Sequence, residues 1–409
     1  MAAAARSRLA WFSPLPPLTS GISDYTSEIV PYLVGRVAVD VFCPRPGPFK
    51  PPRAPRGARV LRPARYFAHP DAYDACLYHL GNNPDHEFVY TAARRRPGIV
   101  VLHDTVLHHL IAHATVERGW DPVGYERVLE EEYGERGGPL ATLRERRVAT
   151  DLEKFLFPLV SHVVAEARGV VVHSHDAAAR IASAAPGVPV AVIPHHAGDP
   201  PLSVAAIDRS VARRAIGVSP ETLVVGHLGF ITRPKQPAAI LEGFARLHRE
   251  VPDSLLLMVG ADRTAGALPR LVARLGIGDA VRLTGYVNLD RMYLYLRAID
   301  VAINLRYPSA GETSGTLARS LAEGRPVIVN NYASWAELPP DLALKVEIDR
   351  PQAEQVADHL LRLAKDPELR KTMGERARLY ARDHLDPVRC VDSYLAFARR
   401  VNEGAIREV

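Results

Sequence analysis

Several features are scarce in this chain of 409 residues, and each scarcity excludes a class of protein. The three cysteines, Cys43, Cys76 and Cys390, lie far apart in the sequence, so they predict neither a disulfide framework nor a cysteine-based zinc site. No stretch approaches the roughly 20 uninterrupted apolar residues that a membrane-spanning helix needs. The hydrophobic fraction of 47% and the charged fraction of 24% are typical of globular proteins and exclude fibrous and disordered chains.

The N-terminal segment and the charge balance bear on location and partners. Residues 1–8 do not lead into the apolar core of a signal peptide, because three prolines follow between 14 and 17, so we expect a cytoplasmic protein. Lysine and arginine total 51 against 46 aspartates and glutamates, and this net charge of +5 indicates an anionic partner. Nucleic acid, a membrane surface and phosphorylated small molecules all fit that charge.

Short apolar, β-branched segments recur along the chain, each followed by a turn and a helical pattern. Near-continuous apolar strands that alternate with helices indicate parallel sheets covered on both faces. We therefore predict an α/β fold with two doubly wound domains, 1–197 and 198–385, and a terminal helix in 386–409. A helical insertion is expected at about 107–164, and Pro44–Arg65 is expected to be a long surface loop. The predicted strands are Arg8–Phe12, Val37–Phe42, Cys76–Leu80, Ile99–Leu102, Val170–Val172, Val190–Ile193, Leu223–Leu228, Ser254–Val259, Val281–Leu283, Val301–Leu305 and Pro326–Val329.

Ligands of open α/β sheets bind at the carboxyl ends of strands, so the loops after the strands are the candidate sites. The first such loop runs from Phe12 to Tyr25 and has Gly21 at the start of a helix. A glycine there would let a phosphate approach free backbone N–H groups. An ordinary helix start capped by Ser20 fits the same residues equally well.

Two cations follow the strand Leu223–Leu228. Arg233 and Lys235 lie two residues apart, just beyond Gly229. The fork of an arginine and the point charge of a lysine could hold a diphosphate from one side. Because Arg-x-Lys pairs are common on surfaces, the argument depends on their position at the end of a strand.

The loop after Val301–Leu305 carries the most specific pattern in the sequence. A helix is predicted to begin near Ser314, so that Ser314, Gly315 and Thr316 would offer backbone N–H groups to an anion. Glu312, just ahead of this helix, could accept hydrogen bonds from sugar hydroxyls. The alternative is a carboxylate that only stabilises a helix start.

His103 ends the apolar strand Ile99–Leu102, and this position favours a role in a site over a purely structural one. His109 and His113 follow it at the i, i+4 spacing that also occurs in zinc sites. No glutamate follows His109 as in the H-E-x-x-H motif, so a metal site is disfavoured.

Taken together, these loops resemble the nucleotide-sugar glycosyltransferases of family 4, which have the GT-B fold. The resemblance covers nearly the whole chain. Phe12–Tyr25 is similar to the N-terminal glycine loop of that family, and residues 192–196 to its interdomain Ile-Pro-Asn-Gly segment. Residues 226–235 are similar to the loop that carries the family's arginine and lysine, and 281–287 to its base-binding glycine loop. Residues 312–327 resemble the E-x7-E signature and the Gly-x-Pro-Val segment that follows it.

The resemblance implies two Rossmann-like domains that face each other across a cleft. It implies transfer of a sugar, with retention of configuration, from a UDP- or GDP-sugar to a hydroxyl. The acceptor would be a saccharide, a lipid-linked or a small-molecule acceptor, as in polysaccharide biosynthesis. Neither a metal nor a further cofactor is implied, because basic side chains and a helix N-terminus would neutralise the diphosphate.

The same resemblance assigns roles to the matching residues. The expected catalytic residues, close to the donor sugar, are His103 and Glu312. The expected diphosphate-binding residues are Gly21, Arg233, Lys235, Ser314, Gly315 and Thr316. The expected nucleoside-binding residues are Tyr286, Val287 and Ser320.

The chain departs from the family pattern at two places. Ser320 stands eight residues after Glu312, where the family has the glutamate that binds the ribose. Glu323 is three residues further along and should face elsewhere on the helix. The interdomain Pro-Asn-Gly is replaced by Pro194-His195-His196. The first replacement leaves the ribose contact and the identity of the donor open, and no role is assigned to the two histidines.

Other functions fit parts of the sequence. A catalytically silent GT-B protein that only binds a nucleotide or sugar would explain the missing second carboxylate, although Glu312, Lys235 and His103 argue against it. A Rossmann dehydrogenase is disfavoured because no G-x-G-x-x-G follows any strand. Nucleic acid is disfavoured because the arginines at 53, 56 and 94–96 lack interleaved stacking aromatics. Peripheral contact with a membrane surface or an anionic lipid carrier stays open.

Overall fold

Residues 7–18, 20–44, 51–117, 121–146, 148, 150 and 152–404 are described by a computed structural model of the protein. They divide into two units. Unit 1 comprises the described residues of 1–196, 310–313 and 387–404, and unit 2 comprises residues 197–309 and 314–386. Within these described ranges, no helix is long and apolar enough to cross a membrane.

Unit 1 is built on a parallel sheet of seven strands. Its strands are β1 (Arg8–Phe12), β2 (Ala38–Phe42), β3 (Arg59–Leu61), β4 (Ala75–Leu80), β5 (Ile99–Leu102), β6 (Gly169–Val172) and β7 (Val190–Val192). Their order in the sheet is β3-β2-β1-β4-β5-β6-β7, and every pair is parallel. Because helices cover both faces of such a sheet, the central strands are mostly apolar and buried.

The edge strand β3 corrects one prediction. The surface loop expected over Pro44–Arg65 is wrong at residues 59–61, where Val60 pairs with Val41 of β2, and at 63–65, which begin a helix. The guanidinium of Arg59 donates to the buried carboxylate of Asp40 at 2.7 Å, which attaches this short strand to its neighbour. Residues 45–50 of the expected loop lie outside the described residues.

Helices of unit 1 follow its strands. They are α1 (Gly21–Val34), α2 (Pro63–Ala68), α3 (Glu87–Arg95), α4 (His108–Ala112), α5 (Pro122–Tyr133), α6 (Gly137–Glu145), α7 (Leu152–Leu156), α8 (Ser161–Val164) and α9 (His175–Ala184). The expected insertion at about 107–164 corresponds to α4–α8, between β5 and β6. Tyr125 and Leu129 of α5 are buried in the core of unit 1, so the insertion is part of that core rather than a solvated addition.

Unit 2 repeats the architecture with six parallel strands. They are β8 (Leu223–Leu228), β9 (Ser254–Val259), β10 (Val281–Leu283), β11 (Val301–Asn304), β12 (Val327–Asn330) and β13 (Ala343–Val346), in the order β10-β9-β8-β11-β12-β13. The helices are α10 (Leu202–Ala205), α11 (Arg209–Ala215), α12 (Pro237–Glu250), α13 (Ala267–Leu275), α14 (Leu289–Ala298), α15 (Gly315–Ala322), α16 (Ala333–Ala336), α17 (Gln352–Lys365) and α18 (Pro367–His384). In both sheets the carboxyl ends of the strands form one edge, where parallel α/β folds bind ligands.

The last helix, α19 (Pro387–Asn402), belongs to unit 1. Its Tyr394 hydroxyl lies 2.8 Å from that of Tyr25 in α1. The ring of Phe397 lies over Gly169 at the start of β6, where a Cβ atom would be only 2.8 Å from Cζ of the ring. The C-terminal segment therefore completes the core of the unit that begins at the N-terminus.

Candidate functional site

The end of β8 brings a glycine, a lysine and a threonine together in unit 2. Gly229 has a φ of +97°, and a Cβ atom built on it would lie 2.8 Å from Nζ of Lys235. The same Cβ position is 4.0 Å from Oγ1 of Thr316. Lys235 closes a short turn, Arg233–Lys235, on which Arg233 is exposed. The positive φ favours glycine at 229, and the ammonium group of Lys235 approaches this position closely.

The helix α15 begins at Gly315, as the sequence predicts. Ser314 is its N-cap, and the Oγ atom accepts a hydrogen bond from N–H of Leu317 at 3.3 Å. The first N–H groups of an α-helix have no partner within the helix, so those of Gly315 and Thr316 point out of its end. Together with the helix dipole and Lys235, they make this end of unit 2 attractive to an anion.

A buried histidine, His227, lies in the strand that leads to this site. His227 in β8 is 1% exposed, and its Nδ1 atom lies 3.3 Å from the carbonyl oxygen of Ile303. Burial, and then the charges of Lys235 and Arg306, lower the pKa of His227 to about 3. Arg306 lies two residues after β11. It was not among the predicted site residues, although its position near a strand end is the same signal that selected Lys235.

Glycines and aromatic residues form the neighbouring part of the same edge. Gly260 pairs with Gly285 in an isolated bridge, and a Cβ atom on Gly260 would lie 2.2 Å from the carbonyl oxygen of Gly229. Tyr286 is 62% exposed, and its ring stacks on that of Phe230 with centroids 6.5 Å apart. Phe230 is therefore a second candidate for base stacking, beside the predicted Tyr286.

The other predicted nucleoside contacts are less exposed. Val287 is half-buried against the core of unit 2. Ser320 is 2% exposed, and its hydroxyl donates to the carbonyl oxygen of Thr316 within α15. Glu323 lies on a different side, where its carboxylate binds the guanidinium of Arg297 at 3.2 Å.

The segment that carries Glu312 belongs to unit 1. Its carboxylate accepts a hydrogen bond from N–H of Ala310 at 2.6 Å. The carbonyl oxygen of Ala310 in turn accepts from N–H of Thr105, at 2.7 Å, and from N–H of Val106, at 3.0 Å. Gly311 has a φ of +80°, and a Cβ atom there would lie 1.8 Å from Oγ1 of Thr105. These bonds hold the Glu312 segment against the loop that follows His103.

His103 lies in a chain of three histidines at the carboxyl edge of the sheet in unit 1. Its Nε2 atom is 3.0 Å from Nδ1 of His79, and its Nδ1 atom is 3.2 Å from Nε2 of His173. Nδ1 of His173 lies 2.8 Å from the carbonyl oxygen of Ile193. Burial holds the pKa of His103 well below its usual range, so the ring is neutral. Both ring nitrogens of His103 are therefore engaged by other histidines, an arrangement that its strand-end position did not reveal.

Tyr25 of α1 packs against these rings. Its ring centroid is 4.8 Å from that of His103 and 4.5 Å from that of His196. Gly21 begins the same helix and is exposed, with Ser20 as the N-cap. A Cβ atom on Gly21 would meet nothing within 4 Å, so neither its backbone nor its surroundings in this unit require glycine.

The histidines of α4 have partners other than a metal. His108 bonds to the hydroxyl of Tyr125 at 2.6 Å, and His109 to the amide of Asn82 at 2.7 Å. Across the described part of the chain, no group of three or more His, Cys, Asp or Glu residues is arranged to hold a metal ion.

The structure thus brings predicted residues together in each unit separately. In unit 2 they are Lys235, Ser314, Gly315 and Thr316. In unit 1, Glu312 bonds to N–H of Ala310, and the carbonyl oxygen of Ala310 accepts from N–H of Thr105, two residues after His103.

Comparison with known proteins agrees with this division. Residues 208–380, which fall in unit 2 except for 310–313, match the family of glycosyl transferases group 1. A D-inositol 3-phosphate glycosyltransferase of Geodermatophilus obscurus is 35% identical over 131 residues, which are 30% of this chain and 28% of that protein. One of Corynebacterium urealyticum is 29% identical over 178 residues, 42% of this chain and 41% of that protein. The chain therefore aligns with less than half the length of these curated relatives.

Solved structures share the fold over nearly the whole chain. Sucrose-phosphate synthase of Thermosynechococcus elongatus has a TM-score of 0.70 and 16% identity, and the match covers 98% of this chain and 100% of that one. HepE of Anabaena, solved with UDP and glucose, has a TM-score of 0.67 and 16% identity, with 96% and 99% covered. The predicted fold class is confirmed: each unit is a Rossmann-like parallel sheet, as in GT-B glycosyltransferases.

Proposed function

We propose that the protein is a glycosyltransferase that moves a sugar from a UDP- or GDP-sugar to a hydroxyl group of an acceptor. The observation that carries this proposal is the convergence of Nζ of Lys235 and the side chain of Thr316 on one point beside Gly229. This point lies at the carboxyl end of β8 and the N-terminus of α15, inside the segment that matches the group 1 glycosyltransferase family.

We assign the binding of the donor's diphosphate to this end of β8 and α15. Lys235 supplies a point charge, and the N–H groups of Gly315 and Thr316 supply directed donors at a helix N-terminus. Arg233, exposed on the same turn, adds a second cation. In such a site the leaving diphosphate is neutralised by the protein itself, so we propose that transfer needs no metal ion.

The base of the nucleotide would stack beside the diphosphate. Tyr286 and Phe230 are the aromatic pair at the neighbouring strand end, next to the Gly260–Gly285 bridge. Aromatic stacking suits any base, so this pair does not choose between uracil and guanine. The solved structure of HepE with UDP and glucose supports UDP as the first nucleotide to test.

The sugar would be transferred with retention of configuration. The bond between the anomeric carbon and the diphosphate breaks, and the acceptor oxygen forms a bond on the same face of the sugar. The acceptor proton then passes to an oxygen of the leaving phosphate. Glu312 would bind donor hydroxyls through its carboxylate, which Ala310 N–H already orients. We assign acceptor binding to unit 1, for a saccharide, a lipid-linked or a small-molecule acceptor.

One observation favours a second function, a nucleotide-sugar binding protein without activity. The position of the second acid in the family signature is Ser320, which is buried and bonded within its own helix. A serine has no carboxylate to bind the ribose, and the hydroxyl of this one is already used within the helix. A binding protein would retain Lys235 and α15 but would not turn over any donor.

The two functions are separated by a panel of UDP- and GDP-sugars, in which release of the nucleoside diphosphate is measured with and without EDTA. Release from one donor, unchanged by EDTA and lost in Lys235→Ala, is the result expected for the transferase. Nucleotide binding without release from any donor would support the silent protein instead. If the chain binds neither nucleotides nor nucleotide sugars, both functions are wrong.

A further inference from the structure

A buried tryptophan and a buried asparagine lie directly beneath the N-terminus of α15. The indole nitrogen Nε1 of Trp335 donates to Oδ1 of Asn304 at 2.9 Å. Trp335 is 1% exposed and Asn304, the last residue of β11, is 8% exposed. On its other side, Nδ2 of Asn304 lies 3.1 Å from Oγ of Ser314 and 3.3 Å from Oγ1 of Thr316.

The indole fixes which way the amide of Asn304 points. An indole N–H can only donate, so the atom that faces it must be the amide oxygen. The amide nitrogen must then face the two hydroxyls, and it has one hydrogen for each of them. Both hydroxyl oxygens therefore accept from Asn304, and each must use its own proton elsewhere.

Those two protons can be followed one at a time. Oγ1 of Thr316 lies 3.3 Å from the carbonyl oxygen of Leu228, which can only accept, so the proton of Thr316 is directed there. Oγ of Ser314 accepts from N–H of Leu317 as well as from Asn304, which uses both of its lone pairs. Its proton can reach Thr316, at 3.2 Å, or turn to a ligand at the end of the helix.

We infer that Trp335 and Asn304 are positioning residues that turn the Ser314 hydroxyl into a donor for a phosphate oxygen of the nucleotide. The inference rests on the proposed function, because it concerns the diphosphate of that donor. A phosphate diester or ionised phosphate presents only acceptor oxygens, so a hydroxyl whose lone pairs are already filled is matched to it. The structure thereby assigns a role to a tryptophan that does not touch the ligand.

Two substitutions disturb this chain of bonds in different ways. Trp335→Phe keeps the aromatic packing and removes the indole N–H, so the amide of Asn304 can turn and present its oxygen to the hydroxyls. Asn304→Asp keeps an acceptor for the indole but gives the hydroxyls a carboxylate. That carboxylate draws both hydroxyl protons inwards and adds a negative charge beside the phosphate.

The measurement is the dissociation constant of UDP and of GDP by calorimetry, with uridine and guanosine as ligands that lack the diphosphate. Loss of one hydrogen bond to a charged group predicts an affinity for the nucleotide that is ~10-fold weaker in Trp335→Phe. The added charge predicts a larger loss, ~100-fold, in Asn304→Asp. The affinity for the nucleoside should stay the same in both variants.

A matched control is offered by the other described tryptophan. Trp11 is 0% exposed, and its Nε1 donates to Oγ1 of Thr26 at 3.2 Å in unit 1. Trp11→Phe therefore removes a buried indole hydrogen bond of the same kind and should leave nucleotide affinity unchanged. A general loosening of the fold would instead affect UDP and uridine alike.

A double-mutant cycle tests whether Trp335 acts through Ser314. In the Ser314→Ala background, Trp335→Phe should cause no further loss of nucleotide affinity, because the hydroxyl that it orients is gone. The inference is overturned, and the proposed function left intact, if Trp335→Phe and Asn304→Asp bind the nucleotide as tightly as Trp11→Phe does. A parent protein that binds neither UDP nor GDP would overturn both.

Discussion

The hydrogen bond between His103 and His173, 3.2 Å from Nδ1 to Nε2, can run in only one direction. Nδ1 of His173 faces a carbonyl oxygen and must carry the proton of a neutral ring, so its Nε2 accepts. His103 must then donate through Nδ1 and accept through Nε2 from Nδ1 of His79. A single carbonyl, that of Ile193, thereby sets the tautomer of three histidines.

This relationship gives a prediction for NMR spectroscopy. At pH 7.5, ¹⁵N shifts should show that His79, His103 and His173 all carry their proton on Nδ1. His103 would then have no ring nitrogen to offer to a sugar while the chain of bonds is intact. A proton found on Nε2 of His103 would contradict the bond directions derived above.

The same histidines predict how stability depends on pH. Burial lowers the pKa of His173 to about 4 and holds those of His79 and His103 well below their usual range. The unfolded chain therefore binds protons below about pH 6.5 that the folded chain does not. The free energy of unfolding is therefore unaffected by these histidines above that pH. It decreases as the pH falls towards 4, with a limiting slope of about 1.4 kcal/mol per pH unit for each such histidine.

Urea unfolding at pH 5.5, 6.5 and 7.5 measures this slope. His79→Gln removes one of the buried titrating groups, so between pH 6.5 and 5.5 its free energy of unfolding should fall by about 1 kcal/mol less than that of the parent. His175→Gln, a change at an exposed histidine, is the control and should keep the parent slope. If the free energy of unfolding depends on pH equally in the parent, His79→Gln and His175→Gln, the buried rings do not resist protonation.

Removal of the cation at the diphosphate site should weaken nucleotide binding. Lys235→Ala is expected to raise the dissociation constant of UDP or GDP by ~10- to 100-fold, since a hydrogen bond to a charged group contributes about 1.5–3 kcal/mol. The control is Lys365→Ala, which removes an exposed lysine that pairs with Glu250 on the surface of unit 2. An unchanged dissociation constant in Lys235→Ala would mean that the diphosphate does not bind at Lys235.

The segment before Glu312 should not tolerate a side chain at Gly311. Gly311→Ala meets both a positive φ and Oγ1 of Thr105, whereas Gly404→Ala meets a positive φ with nothing within 4 Å. The second change should cost about 1–2 kcal/mol of unfolding free energy, and the first should cost more. In a Thr105→Gly background, which removes Oγ1 and also the Cβ atom that lies 2.8 Å from the new methyl, the cost of Gly311→Ala should fall towards that of Gly404→Ala. If it does not, Thr105 is not what excludes the side chain.

Much of the fold could be predicted because its central strands are mostly apolar on both faces. The predicted bounds of Ile99–Leu102, Leu223–Leu228 and Ser254–Val259 are those of the structure. The two strands that the prediction missed, β3 and β13, each lie at the edge of a sheet and pair on one side only. One contains Arg59 and the other Lys345, so neither gives a continuous apolar pattern.

The site was predicted only where one loop carries the signal. Lys235 and Ser314 follow strands, and the rule that ligands bind at strand ends selected both. Trp335 and Asn304 are 31 residues apart, and their bond depends on how α16 packs beneath β11, which residue spacing does not reveal. His173 stands at the end of β6, so the strand-end rule applied to that strand would have selected it.

The most direct test of the central claim is a crystal structure of the protein grown with UDP or GDP. The account predicts that the diphosphate lies at the N-terminus of α15, within hydrogen-bond distance of Gly315 N–H, Thr316 N–H and Nζ of Lys235. A nucleotide bound elsewhere on the chain, with Lys235 and α15 untouched, would contradict it.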